Sequence, residues 1–378
     1  MTQTKRLSQA IKKEARRLGF QHVGITTPEP PPHLEVYQSW LQAGHHAGMG
    51  WMARQRNRER RANPRLILPE CRSILVLGAP YQPSPPVEEG RKRGGNIASY
   101  AWGDDYHDVL PDRLQALVAF IEGQAGHPVA NRRYTDTGPI LERELAQRAG
   151  LGWIGKNTNL IDPQRGSYFF LAEILLDVEL APDAPFTEDR CGSCTRCIEA
   201  CPTGCILPNR TIDANRCISY LTIELKEAIP PELRPKLGKW IFGCDVCQQV
   251  CPWNQRFAHL PEDDMFNPRN EIIAPDLIAE MRLSPEEFNR KFKGSPIKRA
   301  KRRGYLRNVA VALGNTGESS AVPALIQAIH DQEALIRSHA AWALGQIGGE
   351  KAQATLRNSA KTETNPDVLE EIEQALDD

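Results

Sequence analysis

The sequence carries no excess of either charge: 47 lysines and arginines balance 47 aspartates and glutamates. No global field therefore draws in a polyanion or an acidic membrane surface, and any such partner has to meet a local patch. Long apolar runs are missing as well. The most apolar, Tyr168 to Leu176, is interrupted by Glu173 and is far too short to span a bilayer. The opening MTQTKRLSQAIKKEARRLGF spaces Leu7, Ile11, Ala15 and Leu18 along one helical face and lacks the apolar core of a signal peptide. No G-x-G-x-x-G follows a candidate strand and no G-x-x-x-x-G-K-[ST] occurs, so a dinucleotide or nucleoside triphosphate site is poorly supported. These absences predict a cytoplasmic protein without a membrane partner. Thiols stay reduced in that compartment, so clustered cysteines there point to metal rather than disulfides.

What is present is cysteine, concentrated: five of the ten fall in the fifteen residues CGSCTRCIEACPTGC. Cys191, Cys194, Cys197, Cys201 and Pro202 form the C-x2-C-x2-C-x3-C-P run of two-cluster ferredoxins. Three thiolates of such a run wrap one 4Fe-4S cluster, and the fourth, turned away before the proline, reaches another. The partner motif appears as Cys244, Cys247, Cys251 and Pro252, one ligand short because Ile241 stands where a further cysteine would be. Pairing Cys191, Cys194 and Cys197 with Cys251 completes one cluster. Cys201, Cys244 and Cys247 need one more thiolate, for which Cys217 in RCISYL competes with Cys205. A pair of structural zinc sites also uses C-x2-C, but does not need two interleaved triples each followed by proline. Cys71, ahead of the apolar run SILVLG, reads as a small buried hydrophobe.

At 378 residues the chain has room for two or three cores. We expect an α-β (α+β) region over 1–185, a ferredoxin-type region over 186–258, and a linker with helical repeats over 259–378. The first would hold a basic helix, the strand QHVGIT, a helix over Val36 to Ala43, the strand SILVLGAPY, helices over Asp112 to Glu122 and Ile140 to Ala149, and one or two strands in SYFFLAEILLDVEL. Pro83, Pro85 and Pro86 mark a loop. RRANPRLILP, YAWGDDYHDVL, RRYTDTGPILER and GWIGKNTNLI mix glycine, polar and aromatic residues in loop-like contexts, where functional groups tend to sit. Each also has a plainer reading: Asp136 as the cap of a helix beginning near Pro139, Asp105 with His107 as a helix-start cap, and Lys156, Asn157 and Asn159 as turn residues.

In the last region AVALGNTG at 310–317 recurs as AWALGQIG at 341–348, the pattern of a HEAT-like array. Before it stands KRAKRRGYLR. Placed on one helix, Lys298, Arg299, Lys301, Arg302, Arg303 and Arg307 would form a broad phosphate-attracting face, with Tyr305 as a stacking group.

The ordered set RRANPRLILP, YAWGDDYHDVL, TDTG, GWIGKNTNLI, RGSYFFLAEI, CGSCTRCIEACPTG, RCISYLT and the HEAT-like tail resembles the epoxyqueuosine reductases along almost the whole chain. The resemblance implies an oxidoreductase with two 4Fe-4S clusters and cobalamin, in a corrinoid-binding fold similar to that of reductive dehalogenases. It would remove the epoxide oxygen of epoxyqueuosine at the wobble position of transfer RNA, the last step of queuosine synthesis. It places the family's acid on Asp136 and its corrinoid contacts on Arg61, Asn157, Ser167 and Ser219, and it implies binding of the anticodon stem-loop by the basic run and repeats. An external electron donor and a monomeric state are further expectations. Nothing in composition or spacing shows cobalamin, and no D-x-H-x-x-G motif is present. Two departures stand out: NIASYAWGDDYH lacks the cysteine that relatives can carry before that stretch, and Cys205 replaces a commoner alanine. Two other readings suit the same residues, an electron-transfer module docking on a redox partner and a corrinoid enzyme acting on a small molecule.

Overall fold

The computed structural model describes residues 2–83, 94–261 and 263–377. Of the prolines expected to mark a loop, Pro83 follows the strand Ser73–Pro80 in irregular chain, whereas Pro85 and Pro86 lie outside the described residues. The N-terminal region is built on a four-stranded sheet in the spatial order His22–Thr26, Ser73–Pro80, Phe169–Leu176, Asn131–Tyr134, with every pair antiparallel. The two central strands are apolar on both sides because helices cover both. Leu75, Leu77, Phe170, Ala172 and Ile174 meet the helices Gln3–Arg17 and Tyr106–Ala125, while Ile74, Val76, Phe169 and Leu175 meet the helix Glu142–Arg148.

SYFFLAEILLDVEL thus gives a single strand, Phe169–Leu176, and the short edge strand Asn131–Tyr134 and the helix Gln55–Ala62 join the expected elements. The long helix begins at Tyr106 instead of Asp112. Asp105 caps it, its carboxylate accepting the N–H of His107 at 3.0 Å, and Pro111 lies inside the helix. A cap outweighs the single hydrogen bond that proline removes near a helix start.

The ferredoxin-type segment is fused to its neighbours. Asn96–Ile97 pairs in parallel with Trp240–Phe242, and one core runs from Ile97 and Trp102 through Ile218, Leu221, Ile241 and Phe242 into Tyr305, Leu306 and Val309 of the first repeat helix, Lys301–Thr316. The sequence repeat has a packing reason. A Cβ on Gly314 would lie 2.6 Å from the Trp342 ring, and one on its counterpart Gly345 would lie 2.8 Å from Ala375. Each glycine lets the next helix approach its backbone. Among the described residues no helix is long and apolar enough to cross a membrane.

Candidate cluster-binding and active site

The cysteines assemble into two adjoining groups. Cys197 faces Cys191, Cys251 and Cys194, and Cys251 faces Cys191 and Cys194. These four line one pocket, walled also by Lys156 and Trp253. In the second group Cys244 faces Cys247 and Cys217, and Cys247 faces Cys217, Cys201 and, from the adjoining first group, Cys197. Each group includes one cysteine distant in sequence that starts a short helix: Cys251 takes the N–H groups of Trp253 and Asn254, and Cys217 those of Ser219 and Tyr220. Such N–H groups stabilise a thiolate.

Cys205 is buried, 3.4 Å from the Cys201 sulfur and in contact with that of Cys217. It stands beside the edge joining those two, whereas Cys217 is the one that also faces Cys244 and Cys247. Cys71 is remote: its thiol donates to the carbonyl of Ser73, and burial pushes its pKa up to about 11. Lys156, expected as a turn residue, clamps the first cysteine loop by donating to the carbonyls of Gly192 at 2.8 Å and Cys194 at 3.0 Å. Its position next to Gly155 hid that role.

Asp136 is exposed and does not cap a helix; the helix Glu142–Arg148 has no side-chain cap. Its backbone is left-handed, φ 54°, a conformation that non-glycine residues rarely hold without support. Support comes from two bonds: the Asp136 N–H donates to Glu142 Oε1 at 2.7 Å, and the Tyr106 hydroxyl donates to Asp136 Oδ2 at 2.9 Å. Tyr106 is itself fixed, stacked on Phe170 with ring centroids 4.3 Å apart. Tyr100 is half-buried, within electrostatic reach of both Asp136 and Asp245, the residue that follows Cys244. Aromatic side chains therefore fill the ground between the carboxylate and the second thiol group. Asp105 holds His107 Nδ1 at 2.8 Å, so this pair is a helix cap as its plainer reading had it.

The other expected site residues divide. Arg61 is buried over the Tyr37 ring with Nη1 unpaired, a donor awaiting an acceptor. Ser219 is half-buried and lends its N–H to the Cys217 sulfur. Asn157 and Ser167 are already engaged in joining the sheet to the ferredoxin-type segment. Asn157 donates to the Cys247 carbonyl, and the Ser167 hydroxyl is enclosed by Asn254 and Gln248. Both thereby help to build the wall between the sheet and that segment.

The basic run also needs correction. It is not one helical face, because the chain breaks at Lys301, φ 57°, between the 3-10 turn Pro296–Ala300 and the helix that follows. Arg307 is 0 % exposed and donates to the carbonyls of Leu221, Leu225 and Glu227. Arg302 pairs with Asp331 at 2.6 Å. Tyr305 is buried with its hydroxyl on Glu280, so it cannot stack on a base. Lys298, Arg299 and Lys301 are exposed and Arg303 is half-buried. Arg299, paired with Glu224 and lying over the Trp51 ring, is close enough to Asp136 to feel its charge.

Comparison with known proteins was made against this geometry. The family model described as epoxyqueuosine reductase QueG, DUF1730, matches residues 61–137; those for a 4Fe-4S double cluster binding domain and for HEAT repeats match 190–254 and 300–377. An epoxyqueuosine reductase of Xanthomonas campestris is 43% identical over 345 residues, 89% of this chain and 95% of that protein. The chain belongs to the epoxyqueuosine reductase family. The Escherichia coli member is 41% identical over 90% of this chain and 89% of its own length. A crystal structure of an epoxyqueuosine reductase with an epoxyqueuosine-modified tRNA-Tyr stem loop superposes with a TM-score of 0.90 at 32% identity, covering 98% of both chains. The Bacillus subtilis member, described with its catalytic loop swung out of the active site, gives 0.89 at 32% identity over the same coverage. Family membership makes the protein an oxidoreductase, and sets aside the reading as an electron-transfer module alone.

Proposed function

We propose that the protein reduces the epoxide of epoxyqueuosine in transfer RNA to the alkene of queuosine, with Asp136 as proton donor and electrons arriving through two 4Fe-4S clusters. The ligands are Cys191, Cys194, Cys197 and Cys251 for the first cluster and Cys201, Cys217, Cys244 and Cys247 for the second. The reaction opens a C–O bond, takes up two electrons and two protons and releases water. The observation that carries the assignment is the Asp136 loop itself: a left-handed aspartate, exposed, with one carboxylate oxygen held by Tyr106. A strained, braced carboxylate in this position is built to present its other oxygen, and a relative's catalytic loop swings.

A cobalamin is the family's second cofactor, and the residues here suit one. Arg61 Nη1 and the hydroxyls of Ser99 and Tyr168 are buried without partners, and Tyr168 lies within electrostatic reach of Cys247 and Asp245. Unpaired buried donors of this kind are costly until something pairs them, and a corrinoid's amides and phosphate would. When bound, the group supplies a cobalt that takes single electrons and delivers them to a C–O bond. The chain's own part is to hold Asp136 ready, with Tyr106 orienting it and Arg299, exposed beside it, offering charge to an RNA phosphate. Lys298 and Lys301 extend that patch, and a cytoplasmic location follows from a transfer RNA substrate.

Asp136→Asn, purified without oxygen and supplied with cobalamin, tests the reading. Iron and cobalt contents should match the unsubstituted protein, while turnover of an epoxyqueuosine stem-loop falls by about 10²–10⁴-fold. Turnover within threefold of the unsubstituted enzyme removes Asp136 as the acid.

A further inference from the structure

Two more carboxyl groups lie behind the Asp136 loop. Glu173 points to the same side of its strand as Phe169, Leu171 and Leu175, into the apolar layer beneath the helix Glu142–Arg148, with Val76 and Tyr134 as its cross-strand neighbours. It is 0 % exposed, and no amide, amine or hydroxyl donor reaches either of its oxygens. An ionised carboxylate so placed is prohibitively unfavourable, so Glu173 is neutral. The polar group it meets is the carboxyl of Glu142. Two carboxyls pair only through a proton that one of them carries. Glu142, half-buried at the start of its helix, in turn accepts the Asp136 N–H. Glu173, Glu142 and Asp136 form a row from the interior of the sheet to the exposed acid.

The chemistry asks for such a row. Each epoxide consumes two protons, and one carboxyl carries one. We propose that Glu142, seated against the neutral carboxyl of Glu173, is the proton reservoir of Asp136. The inference rests on Asp136 being the acid. Asp136 gives its proton to the oxygen freed when the first C–O bond breaks, and the Glu142 carboxyl then passes its proton to the Asp136 carboxylate. Asp136 delivers this second proton as the second C–O bond breaks, releasing the oxygen as water. The two electrons come from the clusters, and solvent refills Glu142. Both carboxyls act through Asp136 and touch no substrate.

Burial, then repulsion by Asp136, holds Glu142 up at about 7, and burial, then Glu142, holds Glu173 well above the carboxylate range. The groups facing Glu142 are Asp136 from the loop, Arg143 from its own helix, Glu173 from the sheet and the Tyr106 hydroxyl from the long helix. The reservoir is full below neutrality and empties as pH rises through about 7.

Infrared difference spectra of the whole protein, taken across neutral pH, read the protonated carboxyls directly. One C=O band should bleach as pH rises through about 7 and be missing in Glu142→Gln. A second should persist and be missing in Glu173→Gln. Glu142→Gln keeps an acceptor for the Asp136 N–H, so the loop is retained. Its turnover at neutral pH should fall about 10²-fold and lose the pH dependence centred there, with part of the rate restored by Glu142→Asp. No carboxyl titrating near neutrality in the unsubstituted protein overturns the reservoir, as does a Glu142→Gln enzyme with unchanged rate and pH profile. An active Asp136→Asn enzyme instead overturns the acid, a separate failure that leaves the infrared bands in place.

Discussion

The two cysteine groups share a spacing and differ in almost everything around it. Between the cysteines of the first loop, Gly192, Ser193, Thr195 and Arg196 are exposed, and Lys156 reaches over from a neighbouring turn. Around the second, Gly243, Asp245 and Gln248 are buried, the repeat helix closes one side, and aromatic rings lead to Asp136 on another. A motif fixes which ligands a cluster has. Its surroundings bear on where electrons enter from a partner and where they leave toward the substrate, and from this arrangement we expect the first cluster to be the entrance.

The strongest way to break that contrast is to remove a ligand from each side. Cys244→Ser and Cys194→Ser should each lose about four of eight irons. Only Cys244→Ser should abolish turnover with every reductant, because the exit is gone. Cys194→Ser should retain measurable turnover with a small chemical reductant, and equal loss in both would dissolve the distinction. Iron analysis beside single-turnover assays decides it.

A smaller effect tests how the second group is enclosed. Arg307→Met leaves the carbonyls of Leu221, Leu225 and Glu227 without their shared donor, next to the helix that Cys217 begins. We expect a loss of about 2–3 kcal/mol in denaturant unfolding and earlier release of the second cluster to a chelator. RNA affinity should be unchanged, since this arginine never reaches the surface.

The smallest effect belongs to the open side. Lys156→Gln removes a charge and two charge-assisted bonds from the first loop. The first cluster's reduction potential should drop, because a nearby cation favours the more negative reduced form, and the second should hold its value in the same potentiometric titration. A shift shared by both clusters would mean that the groups are not electrically distinct.

Much of this was legible in the residues. Continuous apolar runs bounded by turn signals locate the sheet's central strands, because a strand buried on both faces is apolar along nearly its whole length. Counting the cysteines gives two sets of four thiolates but leaves Cys217 and Cys205 competing for the last place. Asp136 was harder: an aspartate three residues before a proline also reads as a cap, and only its left-handed backbone and the Tyr106 hydroxyl separate the two roles. KRAKRRGYLR misled for a related reason, since charge in a sequence carries no sign of whether the side chain meets solvent or a ring of carbonyls.

By itself, then, the chain's sequence determined the metal chemistry, the order of the regions and the family, because ligand type, spacing and hydrophobic period are local properties. Only the tertiary structure shows that Cys217 lies near Cys244 and Cys247, with Cys205 against Cys201 and Cys217. It also decided that Arg307 is scaffold and that Glu173, a lone interruption in an apolar strand, lies in line with Glu142 and Asp136. Each of these depends on which groups distant in sequence share one low-dielectric space, and the energy of a charge or a proton there is set by those neighbours, not by the residues on either side of it in the chain.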